Sequence, residues 1–127
     1  MRYLLDTYTA VWEFIDSPEL SDKAKSAIDD NSSEIFVSTV SAWEAIKRSL
    51  DREITTLCSI EEFFDEIAAS GFELLTLEPH HVLLIETLPY HHHDPFDRLL
   101  IATAIAEDMT FISADENVPK YDVKWLW

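Results

Sequence analysis

Short apolar runs alternate with longer amphipathic segments along the whole chain. Each run has the length and the β-branched or aromatic content of a buried strand. The five runs are RYLLD (2–6), EIFVS (34–38), FELLTL (72–77), TFIS (110–113) and VKWLW (123–127). Because strand and helix alternate almost throughout, the pattern predicts an α/β fold. We expect a central parallel sheet of about four to five strands, covered by helices on both faces.

Capping residues, prolines and the only glycine predict where the intervening helices begin and end. Pro95 fits the first helical position, Pro89 ends the preceding helix, and Gly71 stands at an expected helix stop. The predicted helices, caps included, cover residues 7–16, 19–30, 39–50, 59–70, 79–88 and 94–108. Their expected N-caps include Thr7, Thr39 or Ser41, Ser59 (in a capping box with Glu62) and Asp94.

The large apolar side chains within these helices are interpreted as packing residues. Trp43, Ile46 and Leu50 recur at helical spacing and form one stripe of the 39–50 helix. Core or interface packing is the expectation for the aromatic residues Trp12, Phe14, Trp43, Phe63, Phe64 and Phe96. Trp125 and Trp127 close the last strand, where they would cover an open sheet or a dimer seam.

The chain is strongly acidic. Its 25 Asp and Glu residues outnumber its 9 Lys and Arg residues, which gives a formal net charge of −16. A protein that holds nucleic acid mainly by neutralising phosphates would be basic, because Lys and Arg displace the counterions. The charge therefore excludes a protein that binds nucleic acid mainly through basic residues. Three interpretations remain: solvated surface, a cation site, or a surface for a basic partner.

Cysteine usage and hydropathy point to a reducing compartment without membrane contact. The single cysteine, Cys58, has no partner for an internal disulfide, and apolar runs are far shorter than the roughly 20 residues of a membrane span. The first apolar run reaches Asp6 too early for a secretory hydrophobic region. We therefore expect one cytoplasmic domain over residues 1–127.

Four acidic residues fall where the active edge of such a sheet is expected. Asp6 ends the first strand, and Asp115 follows the strand TFIS. Glu44 lies about one and a half turns into the helix after the second strand, and Asp97 lies in the first turn of its helix. Because ligands bind at the carboxyl ends of parallel strands, these four side chains can converge. Capping alone would also explain Asp97, and a loop would explain Asp115.

Convergent carboxylates repel one another, and a divalent cation removes that repulsion. An all-oxygen ligand set selects a hard ion, and Mg²⁺ is usually held by one or two carboxylates together with water and phosphate oxygens. Such an ion polarises a phosphodiester and activates water. The spacing is therefore compatible with a magnesium-dependent phosphodiester hydrolase.

Several stretches resemble the PIN-domain ribonucleases, especially the VapC-type toxins of bacterial toxin–antitoxin pairs. These stretches are LLDT (4–7), SAWE (41–44), HHHDPFDRLLIATA (91–104), ISADE (112–116) and VKWLW (123–127). The resemblance implies a three-layer α/β/α PIN-like fold and endoribonuclease activity that depends on Mg²⁺ or Mn²⁺. It also implies an RNA substrate, a homodimer, and a cognate antitoxin protein that wraps the toxin and blocks its site.

The same resemblance assigns roles to the four acids. Asp6, Glu44, Asp97 and Asp115 match the family's catalytic acids in chain order. Asp6 and Asp97 would be the principal metal ligands, and Asp115 would hold a second ion or act from the outer shell. Glu44 would orient or deprotonate the attacking water. Thr7 and Ser113 resemble the hydroxyl residues that hydrogen-bond these carboxylates.

The chain also departs from the family pattern near the expected RNA path. His93 stands where the family often has arginine, Tyr8 stands where histidine is frequent, and the segment after Glu44 is one residue shorter. Lys47, Arg48, Arg52 and Arg98 are expected near the active edge, although Arg98 is equally interpreted as the partner of a carboxylate.

The three consecutive histidines have several interpretations. Because neighbours in an extended segment point to opposite sides, at most two of His91, His92 and His93 could share a zinc or nickel ion. Docking against a neighbour, stacking on RNA bases or solvent exposure is the main expectation.

Two other functional classes fit parts of the sequence. A non-catalytic PIN-like module would act through protein partners alone. A phosphoacceptor receiver domain also places acids at strand ends, but it needs an acidic pair after the first strand and an aspartate after the third. Here Asp6 is alone and the third strand ends in Leu75-Thr76-Leu77, so the receiver interpretation is disfavoured.

Overall fold

Five parallel strands form the centre of the molecule. The computed structural model describes residues 1–51 and 59–127, so the predictions for Arg52 and Cys58 lie outside the described residues. The strand order is β3-β2-β1-β4-β5, and every neighbouring pair is parallel. The strands are β1 (Arg2–Leu5), β2 (Glu34–Ser38), β3 (Glu73–Leu75), β4 (Thr110–Ile112) and β5 (Trp125–Leu126).

Six α-helices connect these strands within the described residues. They are α1 (Thr7–Phe14), α2 (Asp22–Asp29), α3 (Thr39–Leu50), α4 (Ile60–Ala69), α5 (Pro79–Leu83) and α6 (Pro95–Ala106). Two short 3₁₀ turns follow α5 and β4, at Leu84–Thr87 and Val118–Lys120. The arrangement confirms the predicted parallel α/β fold with three layers. No described helix is long and apolar enough to cross a bilayer.

The sheet separates two apolar cores, because successive side chains of a strand point to opposite faces. On one face Tyr3 and Leu5 of β1 pack in a cluster that includes residues of α1, α2 and α4. On the other face Leu4 packs with Phe111 and with the inner side of α6. Leu4 and Leu5 are fully buried, and the strand order places β1 at the centre of the sheet.

Two helix starts differ from the prediction, because the cap is the last residue of the strand or the residue directly after it. The predicted cap Thr7 is the first residue of α1, and Asp6 is the N-cap, whose side chain accepts the Thr7 amide hydrogen. Similarly, Ser38 caps α3 in place of Thr39 or Ser41. Each strand therefore passes into its helix without a loop, and the cap stands at the carboxyl end of the strand.

Other boundaries follow the prediction more closely. Ser59 caps α4 and Asp94 caps α6, as expected. Gly71 adopts a φ of +73° directly after α4, a left-handed conformation that glycine adopts without steric cost. The helices predicted over 19–30 and 79–88 are shorter: α2 begins after the cap Ser21, and α5 passes into a 3₁₀ turn after Leu83.

The predicted apolar stripe of α3 does not face the core. Trp43 is 63% exposed and Leu50 is 78% exposed, whereas the acidic Glu44 is 1% exposed. Trp43 contacts the ring of Phe96 edge-on, with centroids 4.9 Å apart. Trp43 and Phe64 are therefore exposed and do not lie in the core, so interface packing stays a prediction for them, while Phe63 and Phe96 are buried as expected. The helix is rotated so that a carboxylate lies inside.

Candidate metal-binding site

A pocket of about 340 Å³ lies at the carboxyl edge of the sheet, at the end of β1. The strands that follow in the chain lie on both sides of β1, with β2 on one side and β4 on the other. This is the position at which parallel sheets bind ligands. All four predicted acids line it, and they come from four separate segments of the chain. The lining residues are Asp6, Tyr8, Trp12, Glu44, Arg48, Asp94, Asp97, Ala114 and Asp115.

Asp6 is fixed at the junction of β1 and α1. One carboxylate oxygen accepts the Thr7 amide hydrogen at 2.7 Å, and the other accepts the Ser113 hydroxyl at 2.8 Å. The side chain is buried. Burial raises the pKa of Asp6 to about 7, against the hydrogen bonds from Ser113 and Thr7, which lower it. The structure therefore holds this carboxyl in one orientation, with its charge poorly solvated.

Glu44 is buried on the inner face of α3, and both of its oxygens have donors. The Thr7 hydroxyl donates to Oε1 at 2.6 Å, and Arg48 Nε donates to Oε2 at 2.9 Å. Arg48 also donates to Asp94 at 3.3 Å. The expected hydroxyl contacts of Thr7 and Ser113 are thus present, and the guanidinium of Arg48 compensates the charge of Glu44 at the pocket wall.

Asp97 lies in the first turn of α6. Its amide hydrogen is accepted by the cap Asp94 at 3.1 Å, while its own side chain is directed to the other acids. Burial and the charges of neighbouring carboxylates, Asp6 first, raise the pKa of Asp97 to about 9. A carboxyl with this pKa holds a proton at neutral pH unless another positive charge replaces that proton.

Asp97 belongs to two groups of potential ligands. Ligand atoms of Asp6, Glu44 and Asp97 lie within 4.8 Å of one another, and so do those of His92, Asp97 and Asp115. The carboxylates fit a hard divalent cation, because they supply oxygen ligands and excess negative charge at one point. The burial and crowding that raise the pKa values of Asp6 and Asp97 are the condition that such a cation relieves.

Asp115 lies at the turn after β4 and is more exposed than the other three acids. Asn117 donates to Asp115 Oδ1 from its amide at 2.9 Å and from its side chain at 3.2 Å. The Ser113 hydroxyl in turn accepts the Asp115 amide hydrogen. Only Oδ2 therefore remains directed toward the pocket and His92, so the loop fixes the direction in which this acid can act.

His92 is the residue that sequence reasoning missed. Its side chain is only 12% exposed, and Nε2 lies 3.4 Å from Asp97 Oδ2 and 3.7 Å from Asp115 Oδ2. Solvent exposure, the expectation for most of this run, holds for His91 and His93 but not for His92. The sequence places His92 shortly before the helix that carries Asp97, which indicates that it lies near the site. The direction in which its ring points cannot be read from the sequence.

The predicted basic residues occupy three different environments in the structure. Arg48 lines the pocket, and Lys47 forms an exposed pair with Asp51 at 2.8 Å. Arg98 is buried, and among the described residues its guanidinium donates to the Leu88 and Pro89 carbonyls and the Tyr121 hydroxyl, not to a carboxylate. Because α6 packs that face against residues 88–90, Arg98 ties the preceding segment to the helix.

An aromatic wall borders the acids. Tyr8 and Trp12 line the pocket on successive turns of α1, with ring centroids 5.9 Å apart. Trp127 continues the row at 5.8 Å from Trp12. These rings give the pocket one apolar side.

Comparison with known proteins identifies the family and structures with a similar fold. A family model described as "PIN domain" matches residues 3–124. Among solved structures, VapBC2 from Rickettsia felis, bound to a DNA fragment from its promoter, is 14% identical with a TM-score of 0.71, covering 99% of this chain and 98% of that chain. VapBC-1 from nontypeable Haemophilus influenzae is 14% identical with a TM-score of 0.66, covering 99% and 97%. No curated protein matches the sequence.

Proposed function

The chain belongs to the PIN-domain family, and on that premise we propose that it is a divalent-metal-dependent endoribonuclease, the toxin of a toxin–antitoxin pair. One observation carries the proposal: four acids from four segments line a single pocket at the carboxyl edge of the sheet. The fold resembles two structures described as VapBC. Nuclease activity is a property of this family. We infer for this chain that the activity depends on a divalent metal and that the substrate is RNA.

Asp6 and Asp97 would hold the cation, which we infer to be Mg²⁺ or Mn²⁺. Asp97 is the member common to both potential ligand groups, and Asp6 is locked by two hydrogen bonds. Asp115 offers one oxygen on the far side of Asp97, suitable for a second ion or for bound water. When bound, such a cation polarises a phosphodiester and makes water a better nucleophile.

Glu44 would orient the attacking water and accept its proton. Its oxygens are held by Thr7 and Arg48, so the carboxylate cannot rotate away from the pocket. A fixed general base supplies about 10²- to 10⁴-fold of rate when it is within hydrogen-bond reach of the water. Attack on phosphorus with departure of the 3′-oxygen would leave a 5′-phosphate and a 3′-hydroxyl.

Single-stranded or looped RNA is the expected substrate. With a net charge of −16 the protein cannot hold a duplex by phosphate neutralisation alone. Arg48 and the cation would supply local positive charge at the pocket, and Tyr8 and Trp12 offer rings on which an unstacked base can lie. The affinity for RNA would therefore be local to the cleavage site and modest elsewhere.

A cleavage assay with purified protein tests this function. We expect Mg²⁺ or Mn²⁺ to support cleavage of single-stranded RNA, and Asp6→Asn and Asp97→Asn to abolish it. Asp65→Asn, which removes the same charge from the exposed face of α4, is the matched control. Equal cleavage by the wild type and both site variants would falsify the nuclease proposal. Growth arrest by Asp6→Asn would instead favour the non-catalytic binding module.

A cognate antitoxin is the second part of the proposal. The two similar structures are described as VapBC, and the acidic surface of this chain suits a partner with a basic segment. We expect the protein encoded beside it to bind tightly at low salt and more weakly as salt rises. Binding that is insensitive to salt would show that charge attraction does not hold the pair.

The remaining proposals concern assembly and location. We propose that residues 1–127 form a single domain, that it is a homodimer and that it acts in the cytoplasm. Light scattering at micromolar concentration tests the dimer, and one cooperative unfolding transition tests the single domain. A monomer mass throughout would reject the dimer.

A further inference from the structure

We propose that His92 is a positioning residue of this site: Tyr121 fixes its ring with the hydrogen on Nε2, and that hydrogen is directed between Asp97 and Asp115. The inference rests on the proposed function, because it describes how the same metal site is held. It goes beyond that function by adding a residue that is not one of the four acids and by stating the chemical form of its ring.

The ring of His92 lies between a hydroxyl and two carboxylates. Nδ1 is 2.8 Å from the Tyr121 hydroxyl oxygen. Nε2, on the opposite side, is buried, and no hydrogen-bond partner satisfies it among the residues the structure describes. The nearest groups are the Oδ2 atoms of Asp97 and Asp115, at 3.4 and 3.7 Å. A buried polar nitrogen aimed into a site without a close partner requires an explanation.

The surroundings of Tyr121 decide which ring nitrogen carries the hydrogen. Arg98 Nη1 points at its oxygen from 3.2 Å, and the amide nitrogens of His91 and His92 do so from 3.3 Å. All three groups can only donate, so they share the two lone pairs of the oxygen. The hydroxyl hydrogen must therefore be donated, and Nδ1 is the acceptor that the described residues offer. The neutral ring then carries its hydrogen on Nε2.

The network that fixes Tyr121 is itself rigid. Arg98 is buried, with its guanidinium bonded to the carbonyls of Leu88 and Pro89 and lying 3.9 Å from the ring centre of Tyr90. Tyr121 is buried as well. The positive charge of Arg98 thus anchors the hydroxyl that orients His92, and the ring cannot rotate without breaking these bonds.

An Nε2–H group between two carboxylates would hold them in place. Asp97 Oδ2 and Asp115 Oδ2 repel each other, and a hydrogen shared between them offsets that repulsion. The other oxygen of Asp97 is then presented to the cation, while Asp115 Oδ1 stays bonded to the amide and the side chain of Asn117. In this ring form His92 is not a zinc ligand, because its lone pair is on Nδ1, where the Tyr121 hydroxyl donates to it. The site stays an all-oxygen site, which suits Mg²⁺ or Mn²⁺.

The same reasoning excludes a second candidate cluster. His80, His81 and Glu107 lie together, and their potential ligand atoms are within 4.8 Å of one another. However, His81 Nδ1 accepts the amide hydrogen of Glu78 at 3.0 Å, so Nε2 carries the hydrogen that points to Glu107 at 2.6 Å. His81 is therefore a buried hydrogen-bonding residue that joins α5 to the end of α6, and it has no free lone pair for a metal.

Nuclear magnetic resonance tests the ring form directly. Long-range ¹H–¹⁵N spectra of the metal-free full chain distinguish the two neutral tautomers. We expect the Nε2–H form for His92, and we expect Tyr121→Phe to abolish the preference because the donor to Nδ1 is lost. A wild-type His92 ring with Nε2 unprotonated would overturn the proposal. This measurement needs neither RNA nor metal, so its outcome is separate from that of the nuclease proposal.

Mn²⁺ titration followed by electron paramagnetic resonance tests the positioning role. We expect His92→Ala to weaken Mn²⁺ binding about tenfold, as is usual for residues that orient metal ligands. His92→Gln should stay within about threefold of the wild type, because its amide can donate from nearly the place of Nε2. His93→Ala, at an exposed neighbour, is the matched control. Unchanged binding by His92→Ala, or equal losses in His92→Gln and His92→Ala, would overturn the role.

Discussion

Neutralising Asp97 should stabilise the metal-free protein, although most substitutions of partly buried residues destabilise. Asp97 is crowded by other carboxylates, and burial together with their charges raises its pKa to about 9. In the unfolded chain the same carboxyl titrates near its ordinary value of 3.8. The folded state must therefore either hold a proton there or bear the repulsion, and Asp97→Asn removes both requirements.

The structure sets the size of the effect. Ligand atoms of Asp97, Asp6 and Glu44 lie within 4.8 Å of one another. At an effective dielectric constant of about 20, two unit charges at that separation repel by about 3 kcal/mol. Because Asp97 escapes part of this repulsion by taking up a proton, we expect a gain of about 1–3 kcal/mol. For a chain of this length that corresponds to a rise of about 3–10 °C in Tm.

The sign of the pH dependence is fixed by the direction of the pKa shifts. Between pH 4 and pH 9 the folded state binds more protons at Asp6 and Asp97 than the unfolded state does, since both folded values are raised. The free energy of unfolding of the metal-free wild type therefore falls as pH rises through this window. The advantage of Asp97→Asn should widen from pH 5 to pH 9.

Thermal unfolding in the presence of a chelator measures this gain, with circular dichroism as the signal. Asp65→Asn is the control, because it removes one negative charge from an exposed position and leaves the pocket intact. Equal Tm values for Asp97→Asn and Asp65→Asn at pH 8, or a lower value for Asp97→Asn, would refute the reasoning. In that case the carboxylates are not crowded in solution as they are in the structure.

Three further outcomes follow from the same geometry. Mn²⁺ should raise the Tm of the wild type but not of Asp97→Asn. Calorimetry should show that the wild type binds Mn²⁺ more tightly at pH 8.5 than at pH 6.5, because protons on Asp6 and Asp97 must leave as the ion binds. Glu44→Gln should lower the rate of RNA cleavage by about 10²-fold or more while far-UV circular dichroism stays unchanged; full activity would remove Glu44 from the mechanism. Arg98→Leu should lower the free energy of unfolding, measured with urea, by about 3 kcal/mol, because the Leu88 and Pro89 carbonyls lose their buried donor. Lys124→Ala, which breaks an exposed ion pair, should lower it by under about 1 kcal/mol.

The sequence alone determined the fold class and the placement of most elements. Strand-length apolar runs separated by amphipathic segments are a local signal, and so are caps such as Ser59 and Asp94. For the same reason three of the acids could be placed at a strand end, after a strand and in a first turn (Asp6, Asp115 and Asp97), and Glu44 could be placed in the helix that follows the second strand. Their convergence followed from a general rule, that the carboxyl ends of parallel strands meet at one edge. Where the cap stands at the very end of a strand, as Asp6 and Ser38 do, local reasoning placed it one or more residues too late.

Only the tertiary structure decided which side chains face the site. Trp43 and Glu44 are adjacent in α3, and the packing of that helix, not its apolar stripe, turned the carboxylate inward and the indole outward. His92 belongs to the site because the hydroxyl of Tyr121, 29 residues later, donates to its Nδ1 and orients the ring. Arg98 is buried because its guanidinium donates to carbonyls 9 and 10 residues earlier. Local sequence fixes backbone geometry over a few residues, whereas the partner of a buried polar group is set by contacts between distant segments. Those contacts exist only after the sheet has assembled.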